Sequence, residues 1–216
     1  MGVPRKSPPL PWLKPAVLTG SLVPIAAIVL RAWHGDLGAD PIAQALNQLG
    51  LIALVFLVAA LACTPLKALL GWTWPMRLRR MLGLLAAFYA LLHVTTYTAL
   101  DQGLDWQAIA DDVLKRKFIF VGFATFVLLL PLAATSTNRA VKRLGYVRWK
   151  QLHRLAYVAP ILAVIHFTLR VKRDVREPMA YGFVLAILLL VRVFDYLRAR
   201  SIQPKMAAAE SHAIIH

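Results

Sequence analysis

The sequence predicts an all-α integral membrane protein, a bundle of six transmembrane helices with both termini in the cytoplasm. Three observations predict it. Hydrophobic residues make up 59% of the chain and charged ones 16%, with mean hydropathy +0.62; soluble domains average about 45–50% and about 25%. Six apolar stretches of about 17–22 residues each match the length a helix needs to cross a hydrocarbon core of roughly 30 Å. Basic residues cluster between those stretches on alternate sides.

The spans are expected at 16–33, 49–70, 81–100, 118–135, 151–169 and 179–196. The chain thus divides into a cytoplasmic N-terminal segment (1–15), a six-helix transmembrane domain (16–200) and a disordered cytoplasmic tail (201–216). The first span follows Arg5, Lys6 and Lys14, as a secretory signal would. No A-x-A-like cleavage site follows its apolar run, which ends LRAWHGD, so it is read as an uncleaved helix. With both termini inside, 17 Lys and Arg residues fall on the cytoplasmic side and 8 on the other. The outer side then carries eight of the ten acids. Such a bias sets orientation.

Several function classes drop out. A net charge of +15 in a soluble domain would suggest nucleic acid, but here the cations flank apolar spans and suit topology and anionic headgroups. The single cysteine, Cys63, excludes an internal disulfide and a cysteine-ligated cluster, and the chain has no C-x-x-C-H motif for covalent haem. There is no Walker motif and no G-x-G-x-x-G on a strand–turn–helix pattern. Asp195 is the one acid within a span, where Arg192 or Arg198 can pair with it. Trp72, Trp74 and Trp149 mark interfaces.

Three histidines carry the candidate chemistry. An imidazole in hydrocarbon is costly and marks a functional site by default. His93 (LLAAFYALLHVTTY) lies slightly past the midplane on the third span, His166 (ILAVIHFTL) near the outer end of the fifth, and His153 (KQLHRLAYVAP) near its inner end. His93 and His166 share one depth on different helices, as the two neutral ligands of a b-type haem must. Ala86, Ala87 and Ala90 leave room, and Phe88, Tyr89, Tyr97 and Phe167 supply aromatic walls. The competing reading for each histidine is an ordinary interhelical hydrogen bond. His153 is either an inner-site ligand or an interfacial residue beside Arg154. At about 100° per residue, His153 and His166 lie roughly 140° apart around an ideal helix, so either the helix is kinked or rewound between them, as Pro160 can do, or the two face different partners. Arg79 and Arg80 open the third span; Arg79 can meet a haem propionate or a flavin phosphate, or serve only as a positive-inside anchor.

The stretches RRMLGL (79–84), LLH ending at His93, PLAATS (131–136) and RWKQLHRLAYV (148–158), with His166 beyond, resemble the ferric-reductase-like transmembrane superfamily. Within it the chain is similar to the haem-binding membrane subunits of periplasmic methionine-sulfoxide reductase systems, the MsrQ/YedZ family. That resemblance implies a conduit carrying electrons from the cytoplasmic side or the quinone pool through haem b to a periplasmic molybdopterin reductase, which repairs oxidised methionines. It implies His93, His153 and His166 as iron ligands, one haem or two, and FMN as a further cofactor. It implies a cytoplasmic flavin reductase or quinol as donor and a bacterial inner-membrane location. Where two-haem relatives carry an inner histidine, this chain has Arg79 or Arg80. The acidic loop 101–112 and the basic turn 170–176 could dock the partner. A ferric or oxygen reductase subunit fed by a separate flavoprotein, and a nonredox channel or transporter, are the rival functions.

Overall fold

The computed structural model describes residues 10–171 and 173–213. Its regular elements are all helical, and six of its spans are long and apolar enough to cross a membrane.

The first span is two helices, α1 (Leu13–Gly20) and α2 (Val23–Trp33), separated at Ser21 and Leu22. Pro24 has no N–H to give the Gly20 carbonyl, which weakens the helix there. The Tyr89 hydroxyl donates to the Ser21 carbonyl inside that break, and Tyr89 is fully buried. The second span, α3 (Pro41–Leu70), starts two turns before the expected apolar stretch. Hydropathy marks only the apolar part of a helix; its start is set by Asp40, whose carboxylate accepts from the Ala43 N–H at 3.0 Å, and by Pro41 in the first turn. Gly71 ends it in the left-handed conformation with φ 69°.

A short 3₁₀ turn (Trp74–Arg77) leads into α4 (Arg79–Thr96), which continues as a π turn over Tyr97–Asp101. The stretch expected as an acidic loop then folds partly into α5 (Trp106–Lys115). Asp105 caps it by accepting from the Gln107 and Ala108 N–H groups, both at 3.0 Å. The fourth span is α6 (Lys117–Ala134), followed by α7 (Asn138–Leu144).

The fifth span is broken too, into α8 (Tyr146–Leu152) and α9 (Leu155–Arg170). The break falls at His153 and Arg154, and His153 and His166 face different partners, the second of the two alternatives the sequence left. Pro160 sits inside α9 and is buried. Finally α10 runs from Arg176 to Ala213, so helical backbone continues through most of the stretch expected as a disordered tail. Its alanine-rich end, KMAAAE, favours helix on local propensity.

The spans alternate in direction. One end of the bundle carries the π turn, α5 and the end of α9, with Asp101, Asp105, Asp111, Asp112 and Asp174 (the acidic end). The other carries the 71–78 turn, α7 and α8 (the basic end). The principal packing pairs are α3 with α4 and α6 with α9. One buried cluster joins Ile28, Leu49, Ala53 and Tyr89, and another joins Leu129, Leu132 and Ala159; Ala90 packs against both. α10 lies against α9 and α3 and turns Phe183, Leu190 and Phe194 outward, as a lipid-facing surface requires.

Candidate functional site

Between the two helix pairs lies a cavity of about 370 Å³, walled by α3, α4, α5, α6 and α9. It reaches the acidic end, where Asp101, Arg116 and Arg170 line it. His93 on α4 and His166 on α9 project into it from opposite walls. Their ring centroids are 6.3 Å apart and their planes are at 82°.

Each imidazole is fixed at Nδ1. His93 Nδ1 lies 2.9 Å from the Leu46 carbonyl oxygen, and His166 Nδ1 lies 2.6 Å from that of Phe118. A carbonyl only accepts, so both Nδ1 atoms carry the proton and both Nε2 atoms keep a lone pair. This is the form in which histidine binds a metal while a backbone carbonyl holds its other nitrogen. A metal bonded to two Nε2 atoms at about 2 Å each would separate the ring centroids by roughly 6 Å. The observed spacing is of the size that a metal held between the two Nε2 atoms would need. It does not fit a direct hydrogen bond between them, because two Nε2 lone pairs both lack a donor.

The cavity wall on α4 is the strip Ala90, His93, Val94 and Tyr97, with Phe167 opposite on α9. Of the residues expected to shape the pocket, Ala90, Tyr97 and Phe167 do so. Ala86, Ala87, Phe88 and Tyr89 do not. Ala86 and Tyr89 are wholly buried, Tyr89 toward α2 and α3, while Ala87 and Phe88 line a separate shallow hollow. Ala87 and Phe88 lie roughly 120–140° around the helix from His93. Tyr89 and Ala86 share its face but sit about one and two turns nearer the basic end, where Tyr89 packs against α2 and α3 instead of the cavity.

The mouth at the acidic end is polar and organised. The Tyr97 hydroxyl donates to Asp112 Oδ2 at 3.1 Å, and Asp112 Oδ1 pairs with Arg116 Nε at 3.1 Å. Arg170 donates through Nη1 to the Asn47 side-chain oxygen and stacks its guanidinium 5.8 Å over Phe167. Among the described residues Arg170 has no carboxylate within ion-pair distance. It follows His166 by four residues, which puts both on one face of α9.

His153 is elsewhere. It closes α8 at the basic end, stacked on Trp149 with centroids 4.1 Å apart. The Thr135 hydroxyl donates to the Pro131 carbonyl at 2.6 Å, so at 3.0 Å it accepts from His153 Nε2. Trp149 Nε1 donates to the Thr135 carbonyl at 3.0 Å, a structural role beyond the interfacial marking expected of it. Arg80 donates from Nη1 to Asn138 Oδ1 at 2.9 Å. Arg192 does not turn to Asp195: it donates to Thr64 Oγ1 at 2.6 Å and lies 4.8 Å over the Tyr157 ring. The structure therefore brings His93 and His166 together and leaves His153, Arg79 and Arg80 outside the cavity, toward the basic end.

Sequence reasoning passed over Arg170 with Asn47, Asp112 with Arg116, and two glycines beside the histidines, Gly50 and Gly122. Arg170 was findable from its spacing to His166. The glycines were signalled only as helix-weakening residues inside apolar spans.

The ferric reductase like transmembrane component family matches residues 39–164, which take in His93 and His153. Curated relatives similar to this chain carry the name protein-methionine-sulfoxide reductase heme-binding subunit MsrQ. That of Rhodospirillum rubrum is 48% identical over 185 residues, 86% of this chain and 89% of the relative. That of Deinococcus radiodurans is 47% identical over 189 residues, 88% and 93% of the two chains. That of Herminiimonas arsenicoxydans is 46% identical over 198 residues, 90% and 91%. Six membrane-length helices, the match over more than half of the chain and this degree of identity lead to one conclusion: the chain is a multi-pass membrane protein of the ferric reductase like transmembrane family, in its MsrQ branch.

Proposed function

We propose that the chain is the haem-carrying membrane subunit of a two-component methionine-sulfoxide reductase, with the catalytic site on a periplasmic molybdopterin partner. The observation that carries this reading is the pair of opposed imidazoles, 6.3 Å apart and each anchored through Nδ1. The names of the relatives, heme-binding subunits of a reductase of this kind, support it. A haem held there supplies one-electron chemistry at its iron.

The residues divide the work. His93 and His166 would hold the metal, and their carbonyl partners keep each ring in the tautomer that can do so. Leu54, Leu57 and Phe126 give the cavity an apolar interior that keeps water from the ring faces. Arg170 and Arg116 stand at the mouth, where propionate carboxylates need cations; Arg170 is the stronger candidate, because Asp112 already neutralises Arg116.

The basic end faces the cytoplasm in this reading, on the distribution of 17 against 8 basic residues. Electrons enter there from a quinol or a flavin reductase. A flavin phosphate, as in FMN, would meet Arg79 and Arg80 beside His153. The acidic end, with α5 and the end of α9, meets the partner in the periplasm of a bacterial inner membrane. One bis-histidine haem is favoured over two, since His153 has Thr135 on Nε2 and no second imidazole faces it among the described residues.

The test is the dithionite-reduced minus oxidised spectrum of the purified protein. Sharp b-type bands that disappear in His93→Ala and in His166→Ala are expected. A wild type without those bands, after expression with ample haem, would sink the electron-transfer reading.

A further inference from the structure

The two walls of the cavity repeat one device. On α3 the carbonyl that receives His93 belongs to Leu46, and Gly50 follows four residues later. On α6 the carbonyl that receives His166 belongs to Phe118, and Gly122 follows four residues later. A carbonyl inside an α-helix already accepts the N–H of the residue four positions on. Each imidazole therefore bonds sideways to the carbonyl that the glycine's own N–H also engages.

A side chain at that position would block the approach, because Cβ leans toward the helix N-terminus and covers the preceding turn. The distances agree. A Cβ on Gly50 would lie 3.2 Å from His93 Nδ1 and 3.3 Å from Cε1. A Cβ on Gly122 would lie 2.7 Å from both Nδ1 and Cε1 of His166. The first is tight and the second is a collision. In contrast, a Cβ on Gly83 of α4 would meet nothing within 4 Å.

We propose that Gly50 and Gly122 are paired positioning residues, each baring a helix carbonyl so that it fixes the tautomer and plane of the histidine on the opposing helix. The proposal rests on the reading of His93 and His166 as iron ligands. It explains why a glycine, which weakens a helix interior relative to alanine, stands at both places. It also accounts for the near-perpendicular ring planes, since each ring takes its orientation from a different helix.

The experiment compares Gly50→Ala, Gly122→Ala and the control Gly83→Ala in mild detergent. The readouts are haem per protein, the low-spin ferric electron paramagnetic resonance signal (which reports the angle between imidazole planes), the midpoint potential and melting of the haem-free protein. Gly122→Ala should weaken haem binding about tenfold or more, the usual cost of losing an outer-shell partner of a metal ligand. Gly50→Ala should retain haem but shift the resonance signal and raise the midpoint, because an Nδ1–H held less firmly makes the imidazole a poorer donor to ferric iron. Gly83→Ala should match wild type. If haem content, resonance signal and midpoint are unchanged in Gly122→Ala, the proposal is wrong. If Gly122→Ala fails to fold, the signal and midpoint of Gly50→Ala decide, and wild-type values there refute it. A wild type lacking bis-imidazole signals fails the underlying ligand assignment instead.

Discussion

Replacing Arg170 by glutamine removes a cation at the cavity mouth while keeping a polar side chain near Asn47. Arg170 lies one helical turn beyond His166, an axial rise of about 6 Å. Allowing for side-chain reach, its charge sits on the order of 10 Å from a metal on His166. At an effective dielectric of about 20, a unit charge at that distance is worth ~1.7 kcal/mol. Ferric iron carries one more positive charge than ferrous, so a nearby cation favours the reduced form, and its removal lowers the midpoint. For one electron, ~1.7 kcal/mol corresponds to roughly 70 mV, and screening by water at the mouth reduces this to a few tens of mV. Potentiometric titration of the visible α band measures the shift directly. Arg170→Lys should keep most of the wild-type potential, because it preserves the charge while losing the planar fork. An unchanged or higher midpoint in Arg170→Gln would refute the electrostatic role assigned to this residue.

Three further outcomes are expected. Asp112→Asn should move the midpoint upward, the sign opposite to Arg170→Gln, because it releases the Arg116 charge that Asp112 Oδ1 holds at 3.1 Å; the same titration reads it. Tyr89→Phe should lower the melting temperature of the protein with little change in its spectrum, since losing the buried bond to the Ser21 carbonyl costs about 1 kcal/mol or somewhat more. His153→Ala should leave the bis-imidazole spectrum intact while slowing reduction from the cytoplasmic side in inverted vesicles. Loss of the outer b-type bands in that variant would show that His153 is a ligand of the same haem, contrary to its position beside Trp149 and Thr135.

The sequence by itself determined the six spans and the shared depth of His93 and His166, because hydropathy and helical rise are properties of local composition and length. Family likeness was legible in the same way, in contiguous blocks around Arg79, His93 and His153. Expectations that depended on a helix being straight or on a single contour of hydropathy did worse. The fifth span breaks at His153, which no local signal marked, because the turn is held by Trp149 and Thr135, residues whose partners are not sequence neighbours. The acidic stretch became α5 because one carboxylate, Asp105, caps two N–H groups. Only the tertiary structure decided which face of α4 meets the cavity, that Arg170 finds Asn47 more than a hundred residues away, and that Gly50 and Gly122 each expose a carbonyl to a ligand histidine. A helix period says which residues share a side. It cannot say what that side will face, since facing is fixed by how α3, α4, α6 and α9 pack, and that packing is non-local.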